Sequence, residues 1–216
     1  MKRLFLAAAL ISLFAAAAFG QDADVKARFE SEYQAWKTIV EGSSSSLSHF
    51  NPHLYEIAKM GIPVLPLLID KMERKGFDRD FLLGKAFGLI TMKEFPREDW
   101  PPGKLAGSHA KAAMYINWWH SGIKNTSKDF NRYYQEWKSA LAETNREKAD
   151  KNLRYITALG IAAMPFMIEK IEEGDLELIK VISYLSHSLL SVNASKYECL
   201  KWWDEKKEKY IINGVE

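Results

Sequence analysis

Two similar segments, residues 54–73 and 153–172, limit the folds open to this chain more than any other feature of its sequence. Residues that recur at equivalent positions include Gly61, Ile62, Pro66, Ile69, Lys71 and Glu73, which correspond to Gly160, Ile161, Pro165, Ile168, Lys170 and Glu172. Self-similarity of this kind is typical of repeat architectures, in which one supersecondary unit occurs more than once. The sequence therefore predicts two duplicated halves.

The spacing of apolar residues predicts helices in both halves. A stripe with spacings of three and four, typical of an amphipathic helix, is formed by Val25, Phe29, Tyr33, Trp36 and Val40, and again by Phe130, Tyr134, Trp137 and Leu141. Gly and Asp residues separate the shorter helices that follow, as in antiparallel helical hairpins. No segment of useful length alternates in the manner of a β-strand. We therefore predict an all-α fold with about five helices in each half.

The segment from Gly160 to Glu172, with the acidic turn and apolar helix that follow it, resembles a HEAT-type, or armadillo-like, repeat, and so does the segment that begins at Gly61. The resemblance implies an α-α superhelix, or α-solenoid, whose exposed surfaces bind proteins or peptides. We expect one continuous solenoid domain with halves at residues 21–124 and 125–216, forming a short right-handed superhelix.

Residues 1–20 have the pattern of a secretory signal peptide. Lys2 and Arg3 precede an apolar run from Leu4 to Phe19. The run is shorter than the roughly 20 residues that a membrane-spanning helix needs. We therefore expect cleavage before Gln21, a periplasmic or secreted location in a bacterium, and no integral membrane span in the mature protein.

The charge balance argues against nucleic acids and anionic membranes as partners, and the cysteine content excludes an internal disulfide. The chain has 30 Lys and Arg against 28 Asp and Glu, and two of the basic residues belong to the expected signal peptide, so the exported part is neutral. Nucleic acids and anionic membranes require a basic surface, so we expect neither as a partner. Cys199 is the single cysteine and cannot form an internal disulfide. Its place on an apolar stripe predicts a buried, inert thiol.

A Pro-rich insertion at residues 92–103 occurs in the first half only. Loops on a repeat scaffold are the usual place for binding residues. Trp100 has no counterpart in the second half, so we expect it to contact a partner, together with Glu98 and Asp99. The sequence places Arg97 among these carboxylates, which suggests local ion pairing.

The other six tryptophans occupy equivalent positions in the two halves: Trp36 with Trp137, Trp118 with Trp202, and Trp119 with Trp203. Adjacent helical residues point about 100° apart, so Trp118 and Trp119 cannot lie on one face. We expect Trp119 and Trp203 in the core. We expect Trp118 and Trp202 at an edge, where they contact a neighbouring helix or a partner.

These patterns favour a non-enzymatic scaffold for a protein or peptide partner. One alternative is a module that binds carbohydrate or cell-wall fragments on exposed tryptophans. Another is a hydrolase using Glu94, Glu98 and Asp99, although a glycosidase needs two carboxylates held at a defined separation. No phosphate loop, CxxC pair or HExxH motif occurs, and Pro52 interrupts the spacing of His49, His53 and Glu56. We therefore expect no catalytic residue, cofactor or metal.

Overall fold

A computed structural model describes residues 23–43, 50–74, 76–100 and 107–213. The signal peptide predicted at residues 1–20 and residues 101–103 of the insertion lie outside these ranges. The described residues form helices and turns without any β-strand, so the all-α prediction is confirmed for them. Within the same ranges, no helix is both long and apolar enough to cross a bilayer.

The α-helices vary in length and several are preceded by a 3-10 turn. They are α1 (residues 23–41), α2 (Pro52–Lys59), α3 (Leu65–Arg74), α4 (Gly84–Thr91), α5 (Ser108–Asn117), α6 (Thr126–Ala142), α7 (Arg146–Ala158), α8 (Met164–Glu173), α9 (Ile179–Leu185) and α10 (Lys196–Lys206). The chain divides into two compact units, Met1–Ala86 and Phe87–Glu216.

The core of the first unit contains a row of aromatic side chains on α1. The rings of Phe29 and Tyr33 are stacked with their centroids 6.2 Å apart, and Trp36 continues the row 6.0 Å from Tyr33. The Tyr33 hydroxyl donates a hydrogen bond of 2.8 Å to the buried carboxylate of Asp80. The ammonium of Lys71 lies 4.0 Å from the centroid of the Tyr33 ring, where its charge is attracted to the ring face.

The second unit contains the same combination of contacts on α6. Phe130, Tyr134 and Trp137 form a row with centroid separations of 5.7 and 5.9 Å. The Tyr134 hydroxyl donates a hydrogen bond to Asp175. Lys170 lies over the Tyr134 ring at 5.5 Å. Each unit therefore has an aromatic row, a Tyr–Asp hydrogen bond and a lysine over the tyrosine ring. The predicted stripe on α6 is wrong at its end, because Leu141 is exposed and Ala140 is buried instead.

The predicted placement of the adjacent tryptophans after α5 is wrong. Trp118 is only 8% exposed and packs edge-on against Phe87 with centroids 6.0 Å apart, whereas Trp119 is half-buried. The backbone widens into a π-helical turn at Trp118–Gly122, and such a turn shifts the faces that a regular helix would present. Gly122 accommodates the buried indole, because a Cβ atom there would lie 2.9 Å from Trp118 Cδ1.

The end of α10 follows the prediction. Trp203 is buried and Trp202 is half-buried against Tyr210, with ring centroids 5.3 Å apart. Cys199 is fully buried, and its burial raises the pKa of the thiol to about 11. A thiol with this pKa remains protonated and unreactive near neutral pH, as the sequence predicted.

Candidate functional site

The beginning of the insertion is fixed to the C-terminal end of α7 by hydrogen bonds to one carbonyl group. The backbone N–H of Glu94 donates to the Ala158 oxygen at 2.9 Å, and the Lys93 ammonium donates to the same oxygen at 3.2 Å. The Tyr115 hydroxyl, from α5, donates to the Lys93 carbonyl at 3.1 Å. The insertion therefore leaves α4 along a path that two other helices define.

Gly160 allows this close approach of the insertion. It has φ 73°, and a Cβ atom at this position would lie 2.3 Å from the Thr91 carbonyl oxygen and 2.7 Å from the Lys93 nitrogen. A side chain is excluded by this contact, and the positive φ also disfavours residues other than glycine. Gly61, which corresponds to Gly160 when residues 54–73 are aligned with residues 153–172, has φ 74°, but no atom of the described residues lies within 4 Å of its Cβ position. Both glycines have a backbone conformation that favours glycine, but only at Gly160 would a side chain also clash with neighbouring atoms.

The side chain of Lys93, at the start of the insertion, is only 7% exposed. Its ammonium lies 4.9 Å from the centroid of the Phe95 ring. Burial lowers the pKa of Lys93 to about 8, because the charged form loses hydration, and the charges of Asp99, Asp129 and Glu94 offset only part of this effect.

An open cleft of about 400 Å³ lies between the insertion and α7. The insertion lines it with residues 94–98, and α7 lines it with Lys151, Arg154, Tyr155 and Ala158. The four helical residues have spacings of three, one and three, which place them on one face of α7. The volume lies within the roughly 300–1,000 Å³ of small-ligand sites.

Glu98 reaches across the cleft and binds two side chains of α7. Its Oε1 atom accepts a hydrogen bond of 3.0 Å from the Tyr155 hydroxyl and lies 3.7 Å from the Lys151 ammonium. The backbone N–H of Glu98, the Tyr155 hydroxyl and Lys151 hold the pKa of this carboxyl below its ordinary value. Contacts with Tyr155 and Glu98 raise the pKa of Lys151. Both groups are therefore charged over the whole neutral range.

Arg97 and Arg154 provide cations in the cleft that have no close carboxylate partner in the part of the chain that the structure describes. Both side chains line the cleft, and among the described residues no carboxylate lies within 4.0 Å of either guanidinium group. The expected ion pairing of Arg97 with its neighbours is therefore wrong. A guanidinium group presents several N–H donors in a plane and suits carboxylate or phosphate oxygens.

An aromatic surface continues from the cleft onto α6. The ring of Tyr155 lies 5.0 Å from that of Tyr133, measured between centroids, and the Arg132 guanidinium lies 4.4 Å from the Tyr133 ring. Arg132 also pairs with Asp129 at 3.2 Å. This surface combines apolar ring faces with polar groups, as binding surfaces for peptides often do.

The structure places the predicted site residues in different surroundings. Glu98 lines the cleft and Asp99 is exposed beside it in sequence. Trp100 is half-buried, and its indole N–H donates a hydrogen bond of 3.1 Å to the Phe95 carbonyl, so it stabilises the turn of the insertion. Trp118 is buried in the core and Trp202 packs against Tyr210, and neither lines the cleft.

Sequence reasoning missed the contribution of α7 to this site. Lys151, Arg154 and Tyr155 lie on one face of a helix, so their spacing alone indicated a shared surface, but it did not indicate what that surface faces. Nowhere in the described ranges do three His, Cys, Asp or Glu side chains come together in a way that would hold a metal ion. The chain has no significant match to a protein-family model, to a curated protein or to a solved structure.

Proposed function

We propose that this chain is an exported, non-enzymatic helical-repeat scaffold and that it binds a peptide segment of a protein partner in the cleft between the insertion and α7. The observation that carries the proposal is the cleft itself. It has a fixed backbone on one side, a helix face on the other, and two guanidinium groups without a carboxylate partner among the described residues. The lining combines charged side chains with the apolar surfaces of Phe95 and Pro96, and a concave site of this size is a typical place for a ligand.

A duplicated, HEAT-like solenoid is the architecture in which we place this cleft. The two compact units have matching aromatic rows, each with a Tyr–Asp hydrogen bond and a lysine over the tyrosine ring. Two unrelated segments have no physical reason to share all of these contacts. The insertion occurs in one half only, and a loop inserted into one copy of a repeat often forms part of the binding surface.

Two observations favour peptide binding over the alternatives. All seven tryptophans lie within the described residues, and each is buried or half-buried, which leaves little flat indole surface for a sugar ring. Glu94, Glu98 and Asp99 are exposed, and the pKa of Glu98 is lowered. A general acid needs the opposite shift, toward the operating pH.

The proposal is tested by selecting peptides from a random phage-displayed library on the immobilised mature protein. Selected peptides are then measured by fluorescence anisotropy against wild type, a double variant R154A/Y155A and the control R146A. Arg146 is also an exposed arginine of α7, but it does not line the cleft. We expect at least tenfold weaker binding to the double variant and unchanged binding to R146A. Failure to select any peptide, or equal binding to all three proteins, would refute the proposal.

Export is tested separately by expressing the full chain in a Gram-negative bacterium and fractionating the cells. We expect the periplasmic protein to begin at Gln21, as read by mass spectrometry. A full-length cytoplasmic product would contradict this part of the proposal.

A further inference from the structure

We infer that the segment bound in this cleft is acidic, with at least one carboxylate held by Arg97 and Arg154. The inference rests on the proposed function and specifies the chemistry of the partner. Arg97 is on the insertion and Arg154 on α7, so the two guanidinium groups come from opposite walls of one cleft. Carboxylates accept hydrogen bonds from guanidinium groups in a planar, often bidentate geometry.

The charges inside the cleft leave a cationic surplus for a ligand. Of the cations that line it, Lys151 is paired with Glu98, and Arg97 and Arg154 have no carboxylate of the described residues within ion-pair distance. Glu94 also lines the cleft and contributes one negative charge, so that three cations stand against two anions in the lining. An acidic segment adds the negative charge that the arginines lack, whereas a basic segment meets unpaired like charges.

Glu98 shows how a carboxylate is bound in this cleft. It takes a hydrogen bond from Tyr155 and an ion pair from Lys151 while its backbone belongs to the insertion. The ligand carboxylate therefore has the arginines as its partners, and Glu98 repels it. Removing the Glu98 charge should strengthen binding of an acidic peptide.

The apolar lining indicates a peptide and not a free inorganic anion. Phe95 and Pro96 line the same cleft as the arginines, and the Tyr155 ring continues toward Tyr133. A phosphate ion makes no use of these surfaces. An acidic peptide with an aromatic or aliphatic side chain buries apolar area there in addition to its charge pairing.

The test uses a short fluorescein-labelled peptide of alternating Asp and Phe residues, with an Asn–Phe version and a Lys–Phe version as matched probes. Anisotropy titrations are made with the mature protein, R97Q/R154Q, E98Q and the control R146Q. We expect the acidic probe to bind at least tenfold more tightly than the Asn–Phe probe. We expect R97Q/R154Q to remove this preference, E98Q to increase it several-fold and R146Q to leave it unchanged.

Other results overturn the inference in distinguishable ways. If the Asn–Phe or Lys–Phe probe binds as tightly as the acidic one, and R154A/Y155A weakens both, the cleft binds peptides but acidity is not recognised. If no probe and no selected peptide binds, the proposed function fails as well. If inorganic phosphate displaces the acidic probe from wild type and not from R97Q/R154Q at concentrations too low to act by screening, the preferred anion is a phosphoryl group and the carboxylate assignment is wrong. Unchanged circular dichroism melting curves verify that each variant is folded.

Discussion

Replacing Lys93 by Met should change how the stability of the protein depends on pH. The Lys93 side chain is buried and its ammonium donates to the Ala158 carbonyl, and this burial lowers the pKa to about 8 from an ordinary value near 10.5. In the unfolded chain the lysine has its ordinary affinity for protons. Between about pH 8 and pH 10.5 this lysine therefore binds more protons in the unfolded state than in the folded state, and its contribution to the stability of the wild type rises with pH in this window.

The magnitude follows from the size of the pKa difference. One pKa unit corresponds to about 1.4 kcal/mol, so charging Lys93 in the folded state costs about 3 kcal/mol below pH 8. Methionine removes this cost and also removes the hydrogen bond to Ala158, worth about 1 kcal/mol. We expect K93M to be about 2 kcal/mol more stable than wild type at pH 7 and about 1 kcal/mol less stable near pH 10.5.

Urea unfolding followed by tryptophan fluorescence, at a series of pH values from 7 to 10.5, measures this difference. The variant K180M is the matched control, because Lys180 is an exposed lysine of α9 whose removal also deletes one positive charge. The relevant quantity is the free energy of unfolding of K93M minus that of wild type at each pH. A difference that stays constant across the range, or that K180M reproduces, would refute the explanation based on burial.

Two other pairs of variants test the fold. Gly160→Ala should cost several kcal/mol more than Gly61→Ala in urea unfolding, because both positions have positive φ but only Gly160 faces the Thr91 backbone; equal costs would contradict the close approach of the insertion. Trp118→Ala should lower the free energy of unfolding by about 3–5 kcal/mol, and Trp119→Ala should lower it clearly less, because Trp119 is only half-buried. The reverse order would mean that the register of the π-turn is wrong.

The helices could be predicted because burial follows their periodicity. The stripe from Phe29 to Trp36 and its equivalent from Phe130 to Trp137 are buried as the spacing indicated. The order of Trp118 and Trp119 could not be predicted in this way. A π-turn changes the angle between successive residues, and the sequence has no simple periodic signal for it.

The site could be predicted only in part. The Pro-rich insertion, which occurs in the first half of the sequence only, was expected to carry binding residues, and its residue Glu98 lines the cleft. Arg97 was expected to pair locally with the carboxylates of Glu94, Glu98 and Asp99, but the Glu98 carboxylate is held instead by Tyr155 and Lys151, which are distant in sequence. Proximity along the chain therefore gave the wrong partner. Of the lining residues of α7, Lys151 and Arg154 are charged and exposed, so hydrophobic periodicity carries no information about what they oppose.

A double-mutant cycle between Arg154 and the acidic probe tests most directly whether this cleft binds a carboxylate. Affinities are measured for the Asp–Phe and Asn–Phe peptides with wild type and with R154Q. We predict a coupling energy of at least about 1 kcal/mol, because the guanidinium group recognises the charge that the Asn version lacks. A coupling energy within about 0.3 kcal/mol of zero would show that Arg154 and the peptide carboxylates do not interact, and the proposed binding mode would be wrong.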